Sequence, residues 1–425
     1  MIKPLLAIAP LFAVGRGVGL AWALAAAGVL AFPAMERSEF LAALPRLAFS
    51  QLDVFALMAM PLFILVGELM NRGGVTNALI RFSALIVGRA RGGLGHINIA
   101  TSLFFAGVSG SAMADAAALS TTLVPSMRKR GYSADYAGAI TAASSMIGPI
   151  IPPSIILIFY GAIMGVDVAA LFAAAIAPGL VLATVLFGAN AIAARVGNHP
   201  AEPERPPVIS TSVHAAPALA MPVVILAGIV FGLVTPTEAG ALAVAAALCA
   251  AAVYGNLKWP MLRGAVAGAT RLTGTIFSLF IAGAAMNFLA ALIGLPTMVS
   301  GWADGLGLGL VPFLLVLTCV FLLSGMVLDT QIALVLIAPI LAPAAHAMGA
   351  DPVHLGVMIC LTLTLGLITP PLGGAVLIVS TVTGVSYWRL MRAVAPFIAL
   401  EIAVLLFLLF APGLTMALPR SLGLA

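Results

Sequence analysis

The stretch Ser109-Gly110-Ser111-Ala112-Met113-Ala114-Asp115 sets small hydroxyl residues and a glycine into an otherwise apolar run, and Gly148-Pro149-Ile150-Ile151-Pro152-Pro153 follows it. The pattern returns as Ser324-Gly325-Met326-Val327-Leu328-Asp329 and Gly366-Leu367-Ile368-Thr369-Pro370-Pro371. Proline has no amide to donate and clashes with the preceding turn, so Gly-Pro and Pro-Pro steps break a helix. Carbonyls and amides freed inside a membrane are costly unless something binds them. A small hard cation such as Na⁺ takes that kind of oxygen-rich shell, and half-helix N-termini favour anionic groups. Each small-residue tip facing a broken helix is therefore a candidate ion site.

The elements that hold these tips are duplicated. Met70-Asn71 matches Met286-Asn287, Gly131 matches Gly349 and Pro178 matches Pro396, with offsets of 214 to 218 across all the pairs. Halves related in this way, with broken apolar helices, point to a membrane transporter. Composition agrees: 63% hydrophobic residues, 8% charged and a mean hydropathy of +1.20 leave too little polar surface to cover a soluble globule of 425 residues. Cys249, Cys319 and Cys360 lie singly in apolar stretches and read as packing residues rather than a disulfide framework or metal cluster.

Against a span of about 20 apolar residues, the crossings read as 4–15, 18–34, 51–71, 134–165 (broken), 168–195, 216–235, 237–257, 270–292, 353–383 (broken) and 386–417. The start lacks a small-residue cleavage site before a polar segment, which argues against a cleaved signal peptide. Segments 75–91 and 293–306 read as short helices along the membrane surface, interrupted by Arg81 and Arg89 or by Trp302 and Asp304. Gly197 to His214 is the long polar connector and joins the halves.

Fifteen cations, among them Arg16, Arg72, Arg128, Lys129, Arg130 and Arg205, fall on one side of this arrangement against Lys3, Arg37, Arg46 and Arg420 on the other; the rich side is cytoplasmic. Orientation thus accounts for the net charge of +5 without a nucleic-acid partner. Arg89 and Arg91 precede 92–127 and Arg128-Lys129-Arg130 follow it, so both ends of that segment are cytoplasmic. It is either a tight pair of crossings or a re-entrant hairpin. The Ser-Gly-Ser tip favours the hairpin, because a turn emerging into water needs no such pattern. The copy at 307–348 has no Lys or Arg at its ends and is expected to enter from the periplasmic face. The fold class is all-α and polytopic, with two inverted repeats, each holding a re-entrant hairpin and a broken helix. The expected organisation is scaffold and arm helices over 1–91, half of a transport unit over 92–165, scaffold, linker and second arm over 166–306, the other half over 307–383, and a C-terminal helix over 384–425.

The segments Gly67-Glu68-Leu69-Met70-Asn71-Arg72-Gly73-Gly74, Arg91-Gly92-Gly93-Leu94, Phe105 through Ala116, Lys129-Arg130-Gly131-Tyr132 and Gly148 through Ser154 resemble the large membrane subunit of tripartite ATP-independent periplasmic (TRAP) transporters. Thr235-Pro236-Thr237-Glu238-Ala239 and Thr369-Pro370-Pro371-Leu372-Gly373 extend that similarity over nearly the whole chain. The family's Gly-x-Pro turn between its first two helices is replaced here by Gly15-Arg16-Gly17-Val18. The resemblance implies an elevator-type secondary transporter of the bacterial inner membrane that imports an organic acid with Na⁺. Its partners would be a small four-helix membrane subunit and a periplasmic substrate-binding protein, and its cargo a carboxylate such as a dicarboxylate, sialic acid or keto acid.

By the same resemblance one Na⁺ site would use Ser109, Gly110, Ser111 and Ala112 with Gly148, Ile151 and Pro153, largely through carbonyls. The other would use Ser324, Gly325 and Met326 with Gly366, Thr369 and Pro371. Asp115 and Asp329 either support the tips and add negative field, or cap the second arm of each hairpin. Glu68 and Glu238 read as hydrogen-bonded anchors within the membrane, with a proton or ion relay as the alternative. Arg46, Ser145 and Ser154 are the candidates for substrate contact. His96, His199, His214, His346 and His354 lack ligand spacing and receive no role. No Gly-x-x-x-x-Gly-Lys-[Ser/Thr], Gly-x-Ser-x-Gly or paired His/Glu motif supports a pump or an enzyme. A stand-alone Na⁺/anion symporter and a channel are the remaining alternatives.

Overall fold

In the computed structural model, the structure describes residues 19–197, 199–201 and 206–424. The expected crossing at 4–15, together with Lys3, Arg16 and Arg205, lies outside the described residues. Every regular element among those described is helical, and eight helices are long and apolar enough to cross a membrane.

The first half runs through α1 (Leu20–Ala34), a 3₁₀ turn (Ser38–Ala43), α2 (Leu44–Leu52), α3 (Phe55–Arg72), α4 (Val75–Val87), α5 (Gly93–Ser109), α6 (Ala112–Lys129), α7 (Ala134–Ser144), α8 (Ile155–Met164) and α9 (Val168–Val196). The second half comprises α10 (Val208–Val230), α11 (Pro236–Val253), α12 (Trp259–Leu292), α13 (Leu295–Gly305), α14 (Leu310–Val327), α15 (Thr330–Ala347), α16 (Pro352–Gly366), α17 (Gly374–Thr383), α18 (Tyr387–Phe410) and α19 (Pro412–Ser421). Both expected broken helices are broken where the prolines stand. Four boundaries differ from the sequence reading. The connector is already helical from Val208, α12 begins well before residue 270, and the C-terminal segment divides at Ala411 before Pro412. The stretch between the expected crossings 18–34 and 51–71, which the sequence reading left unassigned, folds into the 3₁₀ turn and α2, neither of which contains a buried residue.

Packing follows the repeat. The pair α3 and α11 is mirrored by α12 and α1, and these helices with α2 form one body. Gly240 of α11 sits on Leu62 and Gly28 of α1 on Ala285, so small residues let the axes approach. The hairpins cross over: α17, beyond the second break, packs on α6 of the first hairpin, and α8, beyond the first break, packs on α15 of the second. Helices α9 and α18 lie against the broken helices, with Gly138 of α7 meeting Leu390 of α18 and an Arg389–Asp135 ion pair of 2.8 Å at the edge.

Candidate functional site

The first break is built by punctuation. Ser133 caps α7 by accepting the Tyr136 amide, the helix tightens to a 3₁₀ turn at Ser145–Ile147, and Pro149, Pro152 and Pro153 then withhold donors. Ser154 restarts the helix by accepting the Leu157 amide at 3.4 Å. Among the described residues, the carbonyls of Gly148, Ile151 and Pro153 receive no hydrogen bond. Helix α7 has 11 residues, about 16 Å of rise and half of a 30 Å hydrocarbon core, so this gap falls near mid-depth.

The tip of the first hairpin reaches that gap. Gly110, at φ +56°, ends α5 in the left-handed region that favours glycine, and Ser111 accepts the Ala114 amide to start α6. A Cβ on Gly110 would stand 2.9 Å from the Pro153 carbonyl oxygen and 3.2 Å from the Ile155 nitrogen, so only glycine permits the contact. The side chain of Ser109 lies outside the described residues. Asp115 is fully buried and its carboxylate abuts Gly148, where any Cβ would collide with it. Ser111, rather than Asp115, caps the arm.

The second site differs in where the tip falls. Ser324, Gly325 and Met326 belong to the last turn of α14, which continues to Val327; the turn itself is Leu328-Asp329. Asp329 is the cap of α15 and accepts the Gln331 amide at 3.0 Å. Gly325 nevertheless meets the second break, with its Cβ position 2.7 Å from the Leu363 carbonyl and 3.3 Å from the Gly366 Cα. The Thr369 hydroxyl donates to Leu365 O at 2.7 Å, and the Ser324 hydroxyl to Phe321 O at 2.9 Å. Among the described residues, the carbonyls of Gly325, Met326 and Thr369 receive no hydrogen bond; those of Ser324, Gly366 and Pro371 accept from the Leu328 amide, the Thr369 amide and the Tyr387 hydroxyl. A carbonyl has two lone pairs, so an occupied one retains a free acceptor site. Both clusters offer neutral oxygens, with one buried carboxylate beside the first, and this donor chemistry fits a monovalent hard cation.

Of the three substrate-contact candidates, Ser145 and Ser154 flank the first break, and Arg46 lies apart from it on α2. Ser145 donates to Ala142 O at 2.7 Å and Ser154 to Pro149 O, so both hydroxyls serve the break itself. Arg46 is exposed on α2, which packs against α12. Glu68 pairs with Arg72 at 2.8 Å, and Glu238 forms a capping box with Thr235 at the exposed start of α11. Both are hydrogen-bonded anchors, and Glu238 lies at the end of its span rather than within it.

Several polar residues became visible only in three dimensions. Behind the first tip, the Asn98 amide donates to Thr141 Oγ1 at 2.6 Å, Ser144 donates to Asn98 Oδ1 at 2.9 Å and Ser102 donates to Ser144 at 3.0 Å, fastening α5 to α7 up to the break. The Tyr387 hydroxyl holds the carbonyls of Pro371 at 2.7 Å and Leu372 at 2.9 Å. The Asn287 amide of α12 donates to Val335 O of α15 at 2.9 Å, a carbonyl whose helical partner would be Pro339. Glu401 of α18 is fully buried. The recurrence of polar residues at helical spacing, 98, 101 and 102 against 141, 144 and 145, was the signal available for the first group.

An all-helical, many-spanned chain with paired hairpins seated on interrupted helices has the architecture of a membrane transporter. Residues 5–414 match the family described as the DctM component of the tripartite ATP-independent periplasmic transporter, and the chain belongs to that family. Among its relatives, the sialic acid TRAP transporter large permease protein of Vibrio cholerae is 36% identical over 375 residues, covering 87% of each chain. The C4-dicarboxylate TRAP transporter large permease protein of Pseudomonas aeruginosa is 34% identical over 382 residues, covering 89% of each. The Alcanivorax borkumensis YdaH transporter shares the fold at a TM-score of 0.63 over 89% of each chain, with 14% identity. The protein is a multi-pass component of the bacterial inner membrane and a transporter rather than an enzyme.

Proposed function

We propose that the chain is the large permease subunit through which an organic acid, delivered by a periplasmic binding protein, enters the cell with Na⁺, in complex with a small membrane subunit. The observation that carries this reading is the seating of Gly110 on Pro153 and of Gly325 on Gly366, which gathers at both breaks carbonyls that accept no hydrogen bond among the described residues. In the first site Gly148, Ile151 and Pro153 would supply oxygens with the 109–112 tip, and Asp115 would add negative field. In the second, Gly325, Met326 and Thr369 would do so, joined by Ser324, Gly366 and Pro371. Na⁺ bound there supplies the positive charge that answers these carbonyls and attracts a carboxylate. Relatives of this chain named for sialic acid and C4-dicarboxylates support a carboxylate cargo.

The moving unit in this proposal is the two hairpins with the two broken helices, and the packing of α9 and α18 on α7 and α16 extends it to those helices. Helices α1, α3, α11 and α12 would remain as scaffold, with α4 and α13 as arms. Loaded sites close the tips and remove the cost of carrying bare backbone polar groups through an apolar barrier, whereas partly loaded ones leave that cost in place. Uptake by proteoliposomes holding the purified permease subunits tests the reading. Accumulation should require the binding protein on the outer face; equal accumulation by this chain alone would make it a stand-alone symporter.

A further inference from the structure

An open cleft of about 980 Å³ lies between α4, the bases of α5 and α6, and the first turns of α10. It is far from both tips: its lining comes from the first residues of α5 and the last of α6, at the hairpin's cytoplasmic entrance. Two chemistries divide the wall. Leu94, Ile97 and Leu123 form a buried apolar floor, and Arg81, Lys129 and Arg130 an exposed basic rim, with no acidic residue among the described residues that line it. Among the described residues, neither Arg81 nor Lys129 has an acidic partner. The rim sits at the cytoplasmic boundary of the bilayer, where anionic headgroups concentrate and where basic pockets between helices bind them.

We propose that this cleft binds an anionic phospholipid of the cytoplasmic leaflet, its phosphate held between Arg81 and Lys129 and its first methylenes lying on the half-buried Ile80, Ala84 and Pro206. A soluble anion would leave the half-buried Ile80, Ala84 and Pro206 wet, and a neutral lipid would leave the two cations uncompensated; an anionic amphiphile satisfies both. The site spans two bodies of the proposed mechanism, on which this coupling rests, because α4 is an arm while α5 and α6 form the first hairpin. A lipid bound there straps the hairpin's base to the arm, and its release accompanies movement of the hairpin. This assignment does not depend on Na⁺ coupling.

Thermal unfolding of the full-length protein in neutral detergent tests it, because a ligand of the folded state raises the melting temperature. Added phosphatidylglycerol should raise it, and phosphatidylcholine or inorganic phosphate should not. The Arg81→Gln/Lys129→Gln variant should lose at least half of that rise, and Lys258→Gln/Arg263→Gln, which removes two cytoplasmic cations outside the cleft, should keep it. An undiminished rise in the first variant, or an equal rise with inorganic phosphate, overturns the proposal. Should the first variant fail to fold, crosslinking of the unaltered protein by a diazirine-bearing phosphatidylglycerol decides the matter. Adducts within 80–97 or 123–130 support the site, and adducts confined to other segments contradict it.

Discussion

Gly325 and Gly366 meet backbone to backbone: a Cβ on Gly366 would stand 2.6 Å from the Gly325 Cα and 2.7 Å from its carbonyl oxygen. No side chain fits between the end of α14 and the end of α16, so the second hairpin and the second break form one packed joint. Gly366→Ala should therefore lower the melting temperature by an amount equivalent to about 1–3 kcal/mol and abolish uptake. Gly301→Ala, in α13 with nothing near its Cβ position, should change neither. Equal tolerance of the two substitutions in a thermal-shift assay would show that the joint is not close-packed.

The hydrogen-bonded chain of Ser102, Ser144, Asn98 and Thr141 fixes α5 on α7, and its members are all buried. Asn98→Leu removes both of its bonds; Thr141 keeps its donation to Ala137 O and Ser144 can turn to Thr141 O, so the cost is about 1 kcal/mol per lost bond. Melting of the variant should fall by several degrees. Unchanged melting would mean that the first hairpin is not held through this chain.

How much of this was legible beforehand differs between the two halves. The breaks were readable because Pro149, Pro152, Pro153, Pro370 and Pro371 act locally, through a missing donor. The first tip was readable for the same reason, since Gly110 alone tolerates the left-handed turn between two helices. At the second tip the repeat misled: Ser324-Gly325-Met326 aligns with Ser109-Gly110-Ser111, yet nothing in it forbids a helix, and α14 runs on until Leu328. Asp329 was the local stop signal, and of its two readings the structure shows the cap of the second arm. Asn287 owes its role to a partner 48 residues further along the chain, which no local pattern reports.

Asn287 bridges α12 of the scaffold to α15 of the second hairpin through the Val335 carbonyl. If the hairpin moves relative to α12, this bond breaks in each cycle. Asn287→Ala should shift the resting distribution away from the present arrangement, seen as faster labelling of a cysteine introduced at Val335. Labelling at the unaltered rate would place the two helices in the same body.

Both carboxyl oxygens of Glu401 are buried without a hydrogen-bond partner among the described residues. Such a group costs several kcal/mol relative to an apolar one unless it is paired. Glu401→Met is expected to melt at a temperature equal to or above that of the parent protein. A fall of several degrees would reveal a partner for the carboxyl.

His199, in the connector between the halves, lies against Tyr132 and Tyr136 with ring centroids 4.4 and 4.7 Å apart. Burial lowers its pKa, so the docked connector resists a proton that the undocked one accepts. Docking is therefore fully favoured above the ordinary histidine value near 6.5 and weakens as the pH falls below it. Limited proteolysis of the connector should accelerate between about pH 7.5 and 5.5, and His199→Phe should remove that acceleration. A pH-independent cleavage rate in the parent protein would exclude the switch.

The decisive measurement is accumulation of substrate by proteoliposomes carrying the complete permease with its binding protein, under a fixed membrane potential, with either an inward Na⁺ gradient or an inward choline gradient. Carbonyl sites at the two breaks predict accumulation above the external concentration with Na⁺ alone, and a higher Na⁺ concentration for half-maximal uptake in Thr369→Ala or Asp115→Asn. Equal accumulation with choline would contradict the account.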